Sequence, residues 1–577
     1  MNEQFFTSLN GYKVKDEYAV HTYDTVADMK IDSKLKSGMH VKTKGYYSAN
    51  DNGKGEYIII DDNTLVADNG SIHDLTNGLK AILIIDNSIN VEQFGAKGDN
   101  ETDDSVAFQN ALNSLSKLNT NKLMLGKNKT YFIDSVLTIF KDSIIDLNNS
   151  TVRGGETHLF TNFKSITFGW DTYDNYTGYN GNGNITIKNG TIKGGNISFI
   201  HAENIKLENL NLFETNNDHY LEICACKNYH VLNCNFKGMK EQASNRQYVE
   251  YVQIDSCDYN SFPWLQEDSA TYDGTLNENL TVENCTFKVG EAPYNHMYTA
   301  IGNHVRTQNP HNGIYIKNNY FEGAEFRSIR LINMNDIIID NNKFINTIST
   351  AISFDNVATN VKITNNYMKA YDETINMTAI LFNNPQNDNR HSNIEILNNQ
   401  IYSENTIKPI NPSYCDNIKI AYNIVNTKRI GVAENTTNLS LSNNTILNND
   451  SNDVHFILEV NNNNSIKYSD VPMRIHDTLT ADGDNKIVTL LYPFTDYNDL
   501  LIEFGIVGSG SWQYAELRGY EYRKFIAGEQ YLINILNVDG TQSIYRVEFD
   551  SENTKLMRLV LVSGTGLTLR QVMGKSI

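Results

Sequence analysis

From about residue 184 to 450, apolar and polar positions alternate in short bursts that keep closing the same way, on Ile-x-Ile-x-Asn-Asn-x-Phe. The position two before the closing apolar residue is Gly190, Leu210, Cys234, Cys285, Asn319, Asn342, Asn366, Asn399, Asn423 and Asn444. Alternation of period two, with no helical phase, specifies strands. Recurrence every 20 to 24 residues is the length of one turn of a stacked solenoid. Together they predict an all-β, right-handed parallel β-helix of the pectate-lyase-like solenoid type. The Asn pairs fit its corners, because Asn tolerates the left-handed backbone and its amide can stack from turn to turn.

Three steps are long: Cys234→Cys285 (51), Cys285→Asn319 (34) and Asn366→Asn399 (33). The steps of 51 and 34 mean loops inserted into two successive turns, at about 238–249, 258–279 and 288–298, and the step of 33 is a second candidate for an insertion. The loops of the first two steps carry Phe262, Trp264, Glu267, Tyr272, Tyr294, His296 and Tyr298. Loops leaving a rigid scaffold at one level commonly build a site.

Outside the repeat the texture changes twice. Residues 1–88 form a leading module, with a short helix near Thr25 and hairpin turn chemistry in Asp51-Asn-Gly-Lys-Gly. Residues 89–464 hold the solenoid. At 91–117 a strand runs into a Gly turn and Thr102-Asp-Asp caps a helix. Phe108, Ala111, Leu112 and Leu115 share one face of that helix, suited to covering the open end of the first turn. Strands follow at 122–125 and 131–133. Residues 465–577 lose the period and read as a β-sandwich-like domain for trimerisation or carbohydrate binding.

The segment Val91-Glu-Gln-Phe-Gly-Ala-Lys-Gly-Asp-Asn-Glu-Thr-Asp-Asp resembles the entry motif of pectate-lyase-like proteins. The same motif opens many phage tailspikes and depolymerases. The leading module, with Leu35-Lys-Ser-Gly and Lys44-Gly-Tyr-Tyr, resembles one found in tail proteins of phages of Gram-positive bacteria. The resemblance covers about residues 1–450. It implies a homotrimer, attachment to tail or baseplate proteins through the leading module, and a place on the virion tail. The family spans lyases, hydrolases, phosphodiesterases and binders, so chemistry does not follow from it.

Composition narrows the partners. A net charge of −20 argues against nucleic acid. No apolar run reaches the ~20 residues of a membrane span, and the first residues show no secretion signal. A protein made in a host cytoplasm and acting outside it would then leave by lysis. Six cysteines, mostly inside repeat strands, read as buried free thiols.

Candidate chemistry comes from aligning the second strand of successive turns. The segments are Tyr220-Leu-Glu-Ile-Cys, Tyr251-Val-Gln-Ile-Asp, Tyr298-Thr-Ala-Ile-Gly-Asn-His, Arg327-Ser-Ile-Arg and Ala351-Ile-Ser-Phe-Asp. With Ile223, Ile254, Ile301, Ile329 and Ile352 inward, alternation turns Glu222, Gln253, Asp255, Gly302, His304, Arg330, Ser353 and Asp355 outward. Turns stack ~4.8 Å apart and two residues span ~6.6 Å, so Glu222 and Asp255 come to about 8 Å, an inverting glycosidase spacing. His304 or His219 could exchange a proton, and Arg330 could hold an anionic substituent. Asp218, His219, Gln253, Arg327 and Asp355 lie around this face as substrate contacts. Trp264, Tyr294 and His296 are placed on the loops, the first two as platforms for sugar rings. Against this, an outward carboxylate on a β-helix is most often simply solvated, and a register slip of one inverts the assignment. His230, His391 and His455 read as surface or packing residues.

Three functions compete. A tail depolymerase would bind a host-surface glycopolymer and cleave it, by hydrolysis with Glu222 and Asp255 or by elimination with His304 and Arg330. A teichoic acid phosphodiesterase would hold a divalent cation, Ca or Mg, on Asp218, His219, Glu222, Asp255 and His304. A non-catalytic adhesin would rely on stacking and avidity.

Overall fold

A computed structural model describes residues 20–447 apart from 156–157, 217–218, 242–248, 260–261, 305–306, 372–374, 384–388, 403–408, 427–430 and 435. Beyond 447 it describes little more than the backbone of strands. The fold is a right-handed parallel β-helix with a small leading module and a β-sandwich-like end. The chain divides into two compact units, Met1–Glu325 and Phe326–Ile577.

In the first unit the leading module is a five-stranded sheet with a one-turn helix, Val26–Lys30, capped by Thr25. Strands His40–Thr43 and Gly55–Ile60 pair antiparallel around the expected turn. Asp51 holds that turn by accepting the amides of Tyr46, Tyr47, Ser48 and Gly53. The entry motif then makes a short 3-10 turn, Val91–Phe94, closed by Gly95 at φ 91°, a backbone only Gly adopts at no cost. Buried Glu92 in that turn accepts from the Tyr131 hydroxyl at 2.6 Å and pairs with Lys129 at 3.1 Å. The helix Ser105–Ser114 buries Phe108, Ala111 and Leu112, and Phe108 packs against Tyr131 and Phe160 of the first turns. Its start is held from within the expected Thr102-Asp-Asp segment. Asp103, not Thr102, accepts the Ser105 amide, while Asp104 turns back to the amides of Lys97 and Gly98.

Stacking of the turns follows from the alternation. Leu123, Ile145, Ile187, Leu207, Val231, Val282 and Ile316 form one in-register inward column. All are at most 1% exposed, each worth roughly 1.5–3 kcal/mol of burial. Phe236, Phe287 and Phe321 stack nearly parallel, 4.7 and 4.8 Å apart. Left-handed Asn residues close the corners, among them Asn189, Asn209, Asn233, Asn284 and Asn318.

In the second unit the Asn that follows the corner forms a side-chain ladder from turn to turn. Asn366 accepts from the Asn342 amide, Asn399 from Asn366, Asn423 from Asn399 and Asn444 from Asn423, each at 2.9 or 3.0 Å. Each of these bonds supplies a partner to a backbone N–H that the corner would otherwise bury without one. The last solenoid pairing described joins Leu439 to Ile466 and Leu441 to Tyr468. Two antiparallel sheets follow, of four and five strands, beginning at Met473–Arg474 and ending at Thr568–Ser576. No described helix is long and apolar enough to cross a membrane.

Candidate functional site

The outward face is built from four short strands in the first unit: Asn196–Ile200, Leu221–Cys224, Glu250–Asp255 and Thr299–Gly302. Register places Ser198, Glu222, Gln253 and Gly302 in one column. Glu222 and Asp255 therefore lie on adjacent turns with a two-residue offset. One alignment shifts by two: Val252, not Ile254, pairs with Ile301. The parity survives, so the inward and outward sets stand. Two residues on in the same register, Asp255 meets His304 instead of Gly302.

Much of this face is covered. The 258–279 loop folds over it together with a segment at 163–182 that the repeat spacing did not reveal. Ser165 donates to the Trp264 carbonyl at 2.5 Å, Gly178 to Asp273 at 2.8 Å, and Tyr179 to the Leu276 carbonyl at 2.9 Å. Beneath them Phe163, Ile200, Cys224, Cys257, Phe262 and Leu265 form a second apolar cluster outside the solenoid core. Burial pushes the Cys224 thiol well above its usual pKa, with negative neighbours adding to the effect, so it is no nucleophile. All six cysteines are free and buried.

Glu222 sits under this cover. His158 Nε2 lies 2.9 Å from its carboxylate and the Ser198 hydroxyl donates to the same oxygen. Burial raises the Glu222 pKa, but the charges on His158 and His219 and these hydrogen bonds outweigh it and hold it at about 2. The Glu222 carboxyl is thereby held in its ionised form near neutral pH. Trp264, expected as a sugar platform, instead stands edge-on against the His158 ring at 4.5 Å and packs near Phe168. Tyr294 is half-buried in a tight turn in which its amide donates to the Glu291 carbonyl at 2.7 Å. His296 pairs with Glu325 at 2.7 Å and stacks on Tyr298.

A second grouping is more open. Asp255 is fully buried and accepts from the Gln253 amide at 2.9 Å. His304 Nε2 lies 3.6 Å from Asp255, and its Nδ1 lies 3.5 Å from Glu250. The His219 ring stacks on His304 at 6.2 Å, and its Nδ1 lies 3.6 Å from the same Glu250 oxygen. Glu250 is 0% exposed, and neither carboxylate oxygen takes a hydrogen bond. His304 is the solvent-reaching member, with a fifth of its side chain exposed. Sequence reasoning missed His158, Ser198 and Glu250. The last was findable, because the 31-residue step from Glu222 to Gln253 also carries His219 onto Glu250.

In the second unit Arg327 and Arg330 both bind Asp355, at 3.1 and 2.8 Å, and Asn383 donates to its other oxygen. Burial raises the Asp355 pKa, and the two guanidinium groups outweigh it and bring it below the ordinary value. Arg330 is thus engaged by a carboxylate of its own chain instead of being held ready for a substrate anion. Of the metal set, Asp218 lies outside the described residues. Among the described residues no three His, Cys, Asp or Glu side chains converge as ligands. His391 is buried and binds the Asn383 carbonyl, His230 is half-buried, and His455 lies outside the described residues.

No protein-family model matches the chain. It is 26% identical over 295 residues to the plasmin and fibronectin-binding protein A of Streptococcus pneumoniae, across 45% of this chain. It spans 39% of that relative's length. The solved structure of that adhesin, PfbA, superposes with a TM-score of 0.54 at 19% identity, over 65% of this chain and all of the other. That likeness shows the fold. A family 28 exopolygalacturonase of Yersinia enterocolitica aligns over 67% of this chain and 79% of its own, at 13% identity and a TM-score of 0.48. The tailspike of Acinetobacter baumannii phage AM24 aligns over 95% and 92%, at 11% identity and 0.40. Scores below 0.5 register only a general likeness.

Proposed function

We propose that this protein binds a bacterial surface glycopolymer on the outward face of its β-helix and hydrolyses it, with His304 as the proton-exchanging group. One observation carries the reading: two fully buried carboxylates, Asp255 and Glu250, face the solvent-reaching imidazole of His304. Burying Glu250 with no hydrogen bond to either carboxylate oxygen costs several kcal/mol, and clusters of that kind concentrate where protons move. Protonated His304 gives its proton to the leaving oxygen while water adds to the sugar carbon. The water proton then restores the ring. Asp255 and Glu250 hold the imidazolium in place, and His219 packs beside it. Glu222, ionised throughout, keeps His158 seated instead of acting as the acid.

The resemblance of the entry motif supports the finer reading of a phage-tail depolymerase, trimeric and joined to tail proteins by its leading module. Exopolysaccharide and wall teichoic acid are the substrate classes it favours. Glu250→Gln and Asp255→Asn test the site. Each is expected to lower product release from purified surface polymers by about 10²-fold or more while leaving polymer binding intact. Full activity in both variants would move the site elsewhere.

The pneumococcal relative, named for binding plasmin and fibronectin, favours a second reading as an adhesin. Tight binding of a surface polymer with no product from the wild-type chain would select it.

A further inference from the structure

The solenoid of the second unit carries a face that the proposed site does not use. Strands Lys343–Ile345, Tyr367–Lys369, Gln400–Tyr402 and Ile424–Asn426 stack in register. Phe344, Met368, Ile401 and Val425 point inward and are fully buried. Their neighbours therefore point away from the core, although Ile345 among them is itself buried. The Tyr367 and Tyr402 rings lie on adjacent turns, 5.5 Å between centroids and tilted by 42°. Lys369 Nζ stands 4.3 Å from the Tyr371 ring centre and 5.9 Å from that of Tyr402, and Lys343 Nζ stands 5.7 Å from that of Tyr367. Tyr371 is 59% exposed, and its amide is fixed by the Asn346 side chain at 2.8 Å.

We propose that this face is a second glycan-binding surface, selective for sugar chains that carry carboxylates. The outward positions of these four strands include two lysines and no acid, in a chain with 68 acidic against 48 basic residues. A polyanion is excluded from most of this protein by charge and is admitted here. The tyrosines supply apolar rings on adjacent turns, offset by two residues in register with 5.5 Å between centroids, close to the repeat of successive sugars in an extended chain. Aromatic rings bury sugar C–H faces, and each lysine sits where a carboxylate on a stacked ring would project. Gln400 and Asn426, on the same strands, offer neutral hydrogen-bonding groups to hydroxyls.

The test is affinity electrophoresis of the full chain through gels containing polygalacturonate, hyaluronate or neutral dextran, with circular dichroism to follow folding. Wild type is expected to be retarded by the two polyanions and not by dextran. Tyr367→Ala/Tyr402→Ala is expected to weaken that binding at least tenfold. Lys343→Gln/Lys369→Gln, which conserves stem packing, is expected to weaken it about fivefold and to flatten its salt dependence. Product release from short soluble oligomers should stay unchanged in both variants, which separates this surface from the site at His304. Equal retardation of wild type and folded variants would overturn the proposal. So would a wild-type chain that ignores both polyanions, or one that binds dextran equally well.

Discussion

Replacing Glu222 by Gln tests whether this residue is a structural anion or a reacting group. The change keeps shape and leaves the Ser198 hydroxyl an acceptor, but removes the charge that faces His158. Moving a carboxyl from 4.5 to about 2 corresponds to about 3 kcal/mol at ~1.4 kcal/mol per unit. The folded pKa is depressed, so this stability is fully present above about pH 4.5 and is lost as pH falls towards 2. By pH 3 about half of it should be gone. Urea unfolding can be followed by the fluorescence of Trp264, whose ring stands 4.5 Å from that of His158. Trp264→Phe identifies its share among the three tryptophans. At pH 7 the variant should be about 3 kcal/mol less stable, and the two proteins should converge near pH 2. Turnover in the folded variant should persist, because the proposed proton exchange runs through His304 and not through Glu222. Equal stabilities at pH 7 would refute the reasoning. So would a gap that does not narrow in acid, or abolished turnover at unchanged stability.

Other substitutions probe the scaffold. Asn366→Ala removes the acceptor of the Asn342 amide and a donor to the Ile339 carbonyl, both inside the solenoid. It should cost about 3 kcal/mol or more in equilibrium unfolding. Asn393→Gly, at an exposed corner with φ 56°, should cost under about 1 kcal/mol, since Gly accepts that backbone. Asp355→Asn leaves Arg327 and Arg330 without their anion and should destabilise by about 3 kcal/mol at pH 7. Its carboxyl is held below the ordinary value, so this difference should shrink below about pH 4. Gly190→Ala would put a Cβ 2.7 Å from the Ser150 carbonyl and inside contact distance of Leu147, for about 1–3 kcal/mol of strain seen as a lower melting temperature.

The solenoid was legible because its sequence signal is redundant. Each turn repeats the same alternation, and corners repeat an Asn pair, the first left-handed and the second accepting an amide of the neighbouring turn. The first-turn helix was legible from four apolar residues on one face. The outward face was legible as a set, since a two-residue slip preserves parity. What lay over that face was not. The 163–182 segment precedes the repeat and carries no period, so nothing in the spacing said it would meet the 258–279 loop. The pairing of His158 with Glu222, and of Arg330 with Asp355, depends on side chains crossing turns 64 and 25 residues apart. Alternation fixes which side a residue faces, not whether a partner is already waiting there. Glu250 escaped for a different reason. It stands at the start of its strand, one residue before the Tyr251-Val-Gln-Ile-Asp segment used for the alignment.

The most direct test of the central claim is product release from purified host-surface polymers by wild type and His304→Ala, with binding and melting temperature measured on the same samples. The account predicts soluble fragments from wild type, and a loss of about 10²-fold or more in the variant at unchanged binding and stability. Undiminished fragment release by folded His304→Ala would contradict it.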